Sequence, residues 1–419
     1  MSVILGRRQL LRALGAGALM GGASRVLRPR AAHASAGDRK FLFLFCRGGW
    51  DTSRVFVDHS GVPNASYDPD AVPSEIGDLQ FMDSAERPNV RAWLDAHAPR
   101  TCFINGLEVA SVAHERCRRL VLTSDAGNDW PSLIAAGSPS VLTLPYLVLA
   151  GPSYTSTLSS LVVRVGDDGQ LPKLLTGEAQ ANATRPVAAL PSAVESLADA
   201  AVRAQLGLQA ADLASPRALG ASAYASSLDA VATLFATEDL SLTPRLGPCA
   251  RDIVADAESA IRCFELGLSR CAMLQYNGQC DASWDSHTSL DIQNIHYEEL
   301  FLGLTGIVDA ISARGLEDEV TLVVFSEMGR HPLQNTIGGK DHWTFTSMFL
   351  HGAGVRGGQS LGGIDESAIG LPLDLVSGQH SADGVVLRPG HIGATLLTLA
   401  GLDPAALGVT SGALTAAIT

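Results

Sequence analysis

The 419-residue sequence predicts an α/β fold in which helices cover both faces of a mainly parallel sheet. Three stretches carry that reading. FLFLFC at 41–46 and VTLVVFSE at 320–327 contain short unbroken apolar runs, as strands buried on both sides of a parallel sheet require. IHYEELFLGLTGIVDAISARG at 295–315 repeats apolar residues at spacings of three and four and stops at Gly315, the mark of an amphipathic helix. Strands alternating with such helices imply crossover connections and parallel pairing.

The remaining elements follow in chain order. After the first strand, 54–95 is rich in Pro, Asp and Ser and reads as a long irregular excursion. TCFINGLEV from Thr101 is a second strand, and AHERCRRLVL at 113–122 a short helix preceded by Ser111. Residues 130–190 carry β-like pieces, SVLTLPYLVLAG and SSLVVRVG, among Ser, Thr, Pro and Gly, and read as an inserted cap or edge region. SAVESLADAAVRAQLGL and ASAYASSLDAVATLFA, within 192–236, have helical periodicity, as does 251–268. CAMLQYN at 271–277 and TSMFLHG at 346–352 are strands, and HIGATLLTLAGL closes the chain as a helix. The organisation expected is one α/β domain over 38–419 with an insertion at about 130–250, behind a leader at 1–36.

That leader carries Arg7, Arg8, Arg12, Arg25, Arg28 and Arg30 and no acid. Arg7-Arg8 precedes two leucines, a Gly/Ala-rich weakly apolar stretch follows, and Ala-x-Ala steps end at Ala34 and Ala36. This pattern reads as a twin-arginine (Tat) export signal and predicts a periplasmic or extracellular protein that meets the Tat translocase on its way out. The formal net charge is −13, and the chain without its leader is more acidic still. That balance argues against nucleic acid or an anionic membrane surface as partner, and no internal apolar run reads as a stable membrane span. The seven cysteines (46, 102, 117, 249, 263, 271 and 280) include no C-x-x-C, so neither a thiolate zinc site nor a thioredoxin-like centre is indicated. Cys46 and Cys102 read as buried apolar residues, and Cys271 and Cys280 as a pair that a disulfide would fit.

Three strands end in residues of the metal-binding type. The first leads through Gly48-Gly49 to Asp51, CAMLQYN leads to Asp285-Ser286-His287, and VTLVVF ends in Ser326-Glu327 with Arg330 just beyond. Asp341-His342 follows in a Gly-rich loop beside Lys340, one of three lysines in the chain. In extended backbone, residues i and i+2 share a side, so Asp285 and His287 are able to converge on one ion. Carboxylate with imidazole suits zinc, manganese or iron. Open α/β sheets place ligands at the carboxyl ends of their strands, which is where these residues collect.

These motifs, RGGWD, WDSH, FSEMGRHPLQN and GGKDHW, with VRGGQSLG at 355–362, resemble the family catalogued as domain of unknown function 1501. The resemblance covers roughly 38–125 and 260–405. That family is in turn similar to the alkaline phosphatase superfamily, which includes sulfatases, and so implies an alkaline-phosphatase-like three-layer sandwich with one or two divalent ions, zinc or manganese. It implies Asp51, Asp285, His287, Glu327, Asp341 and His342 as metal ligands, with Met328 standing where the superfamily has a histidine. It implies Ser111 as nucleophile with His114 close behind, although Ser111 equally suits a helix cap. Arg330 would clamp a tetrahedral anion or else pair with Glu327. The activity implied is hydrolysis of a small phosphate or sulfate ester. The alternative is a non-catalytic metal-binding scaffold or accessory protein of the cell envelope, partnered by envelope proteins.

Overall fold

The structure, a computed structural model, describes residues 35–123, 127–165, 178–180, 186–188, 192–211, 250–279 and 282–419. Nearly all of the expected leader, the second helical stretch at 221–236, Cys249 and Cys280 lie outside the described residues. The strands are β1 (Lys40–Cys46), β2 (Val72–Ile76), β3 (Leu79–Asp83), β4 (Thr101–Glu108), β5 (Tyr146–Val148), β6 (Val162–Arg164), β7 (Glu178–Gln180), β8 (Pro186–Ala188), β9 (Cys271–Tyr276), β10 (Val320–Ser326), β11 (Gly329–Gln334), β12 (Lys340–Trp343), β13 (Phe345–Gly352) and β14 (Gln359–Leu361). The helices are α1 (Pro88–His97), α2 (His114–Leu122), α3 (Trp130–Ala136), α4 (Ser192–Ala211), α5 (Ala250–Glu265), α6 (Ile292–Ala313) and α7 (Pro389–Leu399).

β1 shows why its sequence is apolar without a break. Leu42, Leu44 and Cys46 enter one core while Phe41, Phe43 and Phe45 enter another. β10 repeats the pattern, with Leu322 and Val324 on the first side and Val323 and Phe325 on the second. Trp93 of α1, Phe264 of α5 and Leu304 of α6 fill the first core. Leu122 of α2, Ile134 of α3 and Leu396 of α7 fill the second. The result is a three-layer α/β sandwich, as the sequence predicts. Among the described residues the central sheet has eight strands in the order β14-β4-β13-β10-β1-β9-β5-β6. All neighbours pair in parallel except β13, which runs antiparallel to both β10 and β4.

The structure departs from the sequence reading at several points. The stretch 54–95 is not simply irregular: β2 and β3 pair as a hairpin, and α1 follows. Pro88 in the first turn of α1 is pre-set for a helix start, and Val90, Trp93 and Leu94 supply its buried face. Each piece is short, so the surrounding Pro and Asp hide its period. Residues 130–136, expected within an insertion, form α3, whose cap is Asp129 accepting from Ser132 N at 3.0 Å. β5 and β6 of the same region lie at one edge of the central sheet, as the edge reading of 130–190 expects. Ser111 is not a helix cap, because α2 begins after Ala113 and lacks a side-chain cap. The final helix starts at Pro389, and the chain continues beyond it in short turns. Cys271 is a free, buried thiol in β9. Among the described residues no helix is long and apolar enough to cross a membrane.

Candidate metal centre

β1, β9 and β10 are neighbours that end in register, Cys46 lying opposite both Tyr276 and Ser326. Three chain segments therefore leave the sheet at one rim. Gly48 (φ 126°) turns the first of them, in a conformation that side chains disfavour. A Cβ on Gly48 would lie 2.5 Å from Ser283 Oγ and 2.6 Å from Asp285 N, so only glycine lets the first and second segments meet. Trp284 N donates to Arg47 O at 3.1 Å across that contact. Gln293, in the first turn of α6, brackets both segments. It accepts from Asp51 N at 2.9 Å and donates to Trp284 O at 2.7 Å and Ser286 Oγ at 2.9 Å.

The loop expected to carry Asp341 and His342 is a two-stranded antiparallel ribbon, β11 with β12, in which Arg330 lies opposite His342. It folds over the rim. Lys340 N donates to Ser286 O at 3.1 Å, and Asn335 Nδ2 donates to His287 O at 3.0 Å. Buried Arg330 is fixed from inside: Nε donates to Gly49 O at 2.8 Å, Nη1 to Lys340 O at 3.1 Å, and Nη2 to Asp285 Oδ1 at 2.6 Å and to Gly48 O. Its acid partner is thus Asp285 and not Glu327, and it has no fork free to clamp an anion.

Asp285 is the hub. Its Oδ1 lies 3.1 Å from His287 Nε2 and 3.2 Å from His342 Nε2, and the two imidazole nitrogens are 2.9 Å apart. The far nitrogens are also engaged. His287 Nδ1 lies 3.1 Å from Asp341 Oδ1, and His342 Nδ1 lies 2.7 Å from Val112 O. A carbonyl oxygen and an ionised carboxylate only accept, so both Nδ1 atoms carry a proton, and in the neutral rings both Nε2 atoms present lone pairs. Asp341 is held ionised, its pKa lowered by hydrogen bonds from Asn335 and His287. Burial opposes the ionisation of Asp285, yet its contacts with His114, His342 and the Arg330 guanidinium hold its carboxyl well below the usual range.

Three acceptor atoms thus face one another in a near-equilateral triangle. A tetrahedral ion with bonds of 2.0–2.1 Å sets its donors about 3.3 Å apart, so this donor set fits a cation such as zinc. Carboxylate or carbonyl contacts behind each imidazole are the usual support of a metal-binding histidine. His114, Asp285 and His342 also satisfy the geometry of a metal-holding group, their donor atoms lying within 4.8 Å of one another.

His114 stands on the other side of Asp285. Its Nε2 is 3.3 Å from Asp285 Oδ2, within charge reach but off the hydrogen-bond axis, and its ring centroid is 4.4 Å from that of His342. Its Nδ1 meets Glu327 Oε1 at 3.0 Å. Asp285 and Glu327 together push the His114 pKa up to about 9. Glu327 is fully buried and receives Gly48 N on both oxygens at 3.0 Å, so the first strand's turn holds it against His114. Ser111 Oγ accepts from Ala113 N at 3.3 Å, one residue from the Val112 carbonyl that orients His342.

Asp51 does not join the triangle. Its Oδ2 accepts from Lys340 Nζ at 2.8 Å with Arg54 Nε at 3.6 Å, and its Oδ1 accepts from Ser53 Oγ at 2.6 Å and Ser53 N at 3.2 Å. The structure thus brings together Asp285, His287, His342 and His114, with Glu327 and Asp341 behind them, and sets Asp51 apart. Sequence reasoning gave no role to Gln293 or Lys340. Gln293 carried a faint signal, a polar side chain on the face that α6 buries; Lys340 carried none beyond rarity.

Residues 255–417 match the family described as "Protein of unknown function (DUF1501)". The DUF1501 match takes in Asp285, His287, Glu327, Arg330, Asp341 and His342, while Asp51, Ser111 and His114 precede it. No curated protein matches the sequence. Similar solved structures include Ps i-CgsB in complex with k-i-k-neocarrahexaose, at 9% identity and a TM-score of 0.39, covering 90% of this chain and 75% of that one. They also include the lipoteichoic acid synthase LtaP from Listeria monocytogenes, at 8% identity and a TM-score of 0.36, covering 88% of this chain and 74% of that one.

Proposed function

We propose that this chain is an exported, metal-dependent hydrolase of phosphate or sulfate esters, with Asp285, His287 and His342 holding a divalent cation, zinc or manganese. The observation that carries the metal is the triangle of one carboxylate oxygen and two imidazole Nε2 atoms, 2.9 to 3.2 Å on its edges, with both Nδ1 atoms already engaged by acceptors. A divalent ion there supplies Lewis acidity at a phosphoryl or sulfuryl oxygen. The chain's own residues do the rest. Asp341 and the Val112 carbonyl fix the two imidazoles, Arg330 fixes Asp285, and Asn335 ties the ribbon to His287. His114, backed by Glu327, holds a proton on the Nε2 that faces the site, where a leaving oxygen would need one. Ser111 is the candidate nucleophile, and the twin-arginine leader supports export by the Tat pathway.

The test is elemental analysis of the mature protein after loading with zinc or manganese, followed by assays on aryl phosphate and aryl sulfate. Bound metal with turnover, both lost in His342→Ala, is the expected result; a protein that takes up no metal refutes the proposal. One observation favours the second reading, a non-catalytic metal-binding component of the envelope. Arg330 and Lys340 spend their charge on internal acceptors, so neither is free to grip an anion. Metal bound without turnover of either ester is the outcome that selects it.

A further inference from the structure

Asp51 and Lys340 form a second charged cluster at the same rim, buried more deeply than the first. Each is 1% exposed. Both oxygens of Asp51 are taken, Oδ2 by the Lys340 ammonium at 2.8 Å with Arg54 beside it, Oδ1 by Ser53. Lys340 Nζ also reaches Ser53 Oγ at 3.2 Å. Lys340 and His342 stand two residues apart in β12 and so share a side of the ribbon. The ribbon therefore lays an ammonium on the acid of the first strand and an imidazole on the acid that follows β9. Its backbone is pinned at that point, Lys340 N to Ser286 O and Lys340 O to Arg330 Nη1.

Resting on the metal reading above, we infer that Lys340 is a built-in cation that occupies Asp51, so that the rim takes one metal ion and Asp51 is not among its ligands. Two further features agree. A second ion at Asp51 would meet two fixed positive groups, Lys340 and Arg54, in a buried place where charges are poorly screened. Next to the first strand's turn stands Met328, fully buried against Val109 and Cys117, its Cγ 2.8 Å from where a Cβ on Gly49 would sit. That flank offers apolar packing where a second site would need a donor. The Asp51–Lys340 pair also needs no metal, so the first strand end keeps its charge balance when the ion is removed.

The experiment is metal stoichiometry on the mature protein, stripped with chelator, dialysed separately against Mn²⁺ and Zn²⁺, and analysed by inductively coupled plasma mass spectrometry. The wild type should hold one ion per chain, and Asp51→Asn should hold one with an affinity within about threefold. Asp285→Asn should hold none. Because Lys340→Met alone strands a buried carboxylate, the Asp51→Asn/Lys340→Met double variant, which removes both charges at nearly constant shape, serves as the second probe and should also hold one. Two ions in the wild type, or a loss of metal in Asp51→Asn or in a folded double variant, overturns the inference while leaving the metal reading intact. A wild type without metal overturns the metal reading itself.

Discussion

Replacing Arg330 by Gln should loosen the whole rim, and the structure sets the scale. The guanidinium donates to three backbone carbonyls, Gly48, Gly49 and Lys340, and to Asp285. Arg330 itself is 1% exposed, so water does not replace what is lost. A hydrogen bond from a charged donor contributes about 1.5 kcal/mol at the low end, so the three carbonyls account for about 4.5 kcal/mol. The ion pair adds little, because Asp285 is 35% exposed and solvent screens it. In urea, with a slope of roughly 3 kcal/mol per molar, the unfolding midpoint should fall by more than about 1 M. Lysine should not rescue it, since one ammonium cannot span acceptors that a planar fork reaches together. Metal affinity should fall about 10- to 100-fold as Asp285 loses its support. A midpoint that moves by less than about 0.3 M, or an Arg330→Lys protein as stable as the wild type, would refute the view that this guanidinium ties the segments together.

Gly48→Ala should cost about 2 kcal/mol or more and weaken metal binding at least about tenfold, because its Cβ overlaps Ser283 Oγ and the backbone of Asp285 and Trp284 at a positive φ. Denaturation together with metal titration checks this, and a variant that behaves as the wild type does would contradict the close approach. Mild acid should also destabilise the protein. Burial pushes the pKa values of His59 and His296 down to about 4 and that of His351 down to about 3. Unfolded histidines take up protons below about pH 6.5 while these folded ones refuse them, so stability falls with pH through the window from about 6.5 to 4. At pH 5 the loss is about 2 kcal/mol for each. Urea midpoints at pH 7 and pH 5 measure it, and equal midpoints would rule out neutral buried imidazoles.

The legible parts of this chain were those with long or dense signals. β1 and β10 are apolar at every step because helices cover both faces, so each could be read from its own residues. α6 announces itself by its periodicity and Gly315. Glu327 could be named because it directly follows an apolar run, Asp285 and His287 from their i, i+2 spacing beyond another, and His342 from the Gly-rich loop that carries it. The α1 turn, the β2–β3 hairpin and the β11–β12 ribbon were hidden. Each is short, and each is held by partners distant in sequence: α1 by the aromatic side chains of the core, the ribbon by Ser286 and Gly49.

What the sequence by itself determined is the order of the long buried strands and helices and most of the residues gathered at the strand ends, because local apolar pattern decides burial and chain direction decides which ends coincide. It did not determine how the charges pair. Asp51 and Asp285 follow strand ends that look alike in sequence, yet one faces an ammonium and the other three imidazoles. That choice was made by the tertiary structure. Ionic and metal-type contacts reach only a few ångströms, and the ribbon from 329 to 343 sets which side chain comes within that reach of which acid.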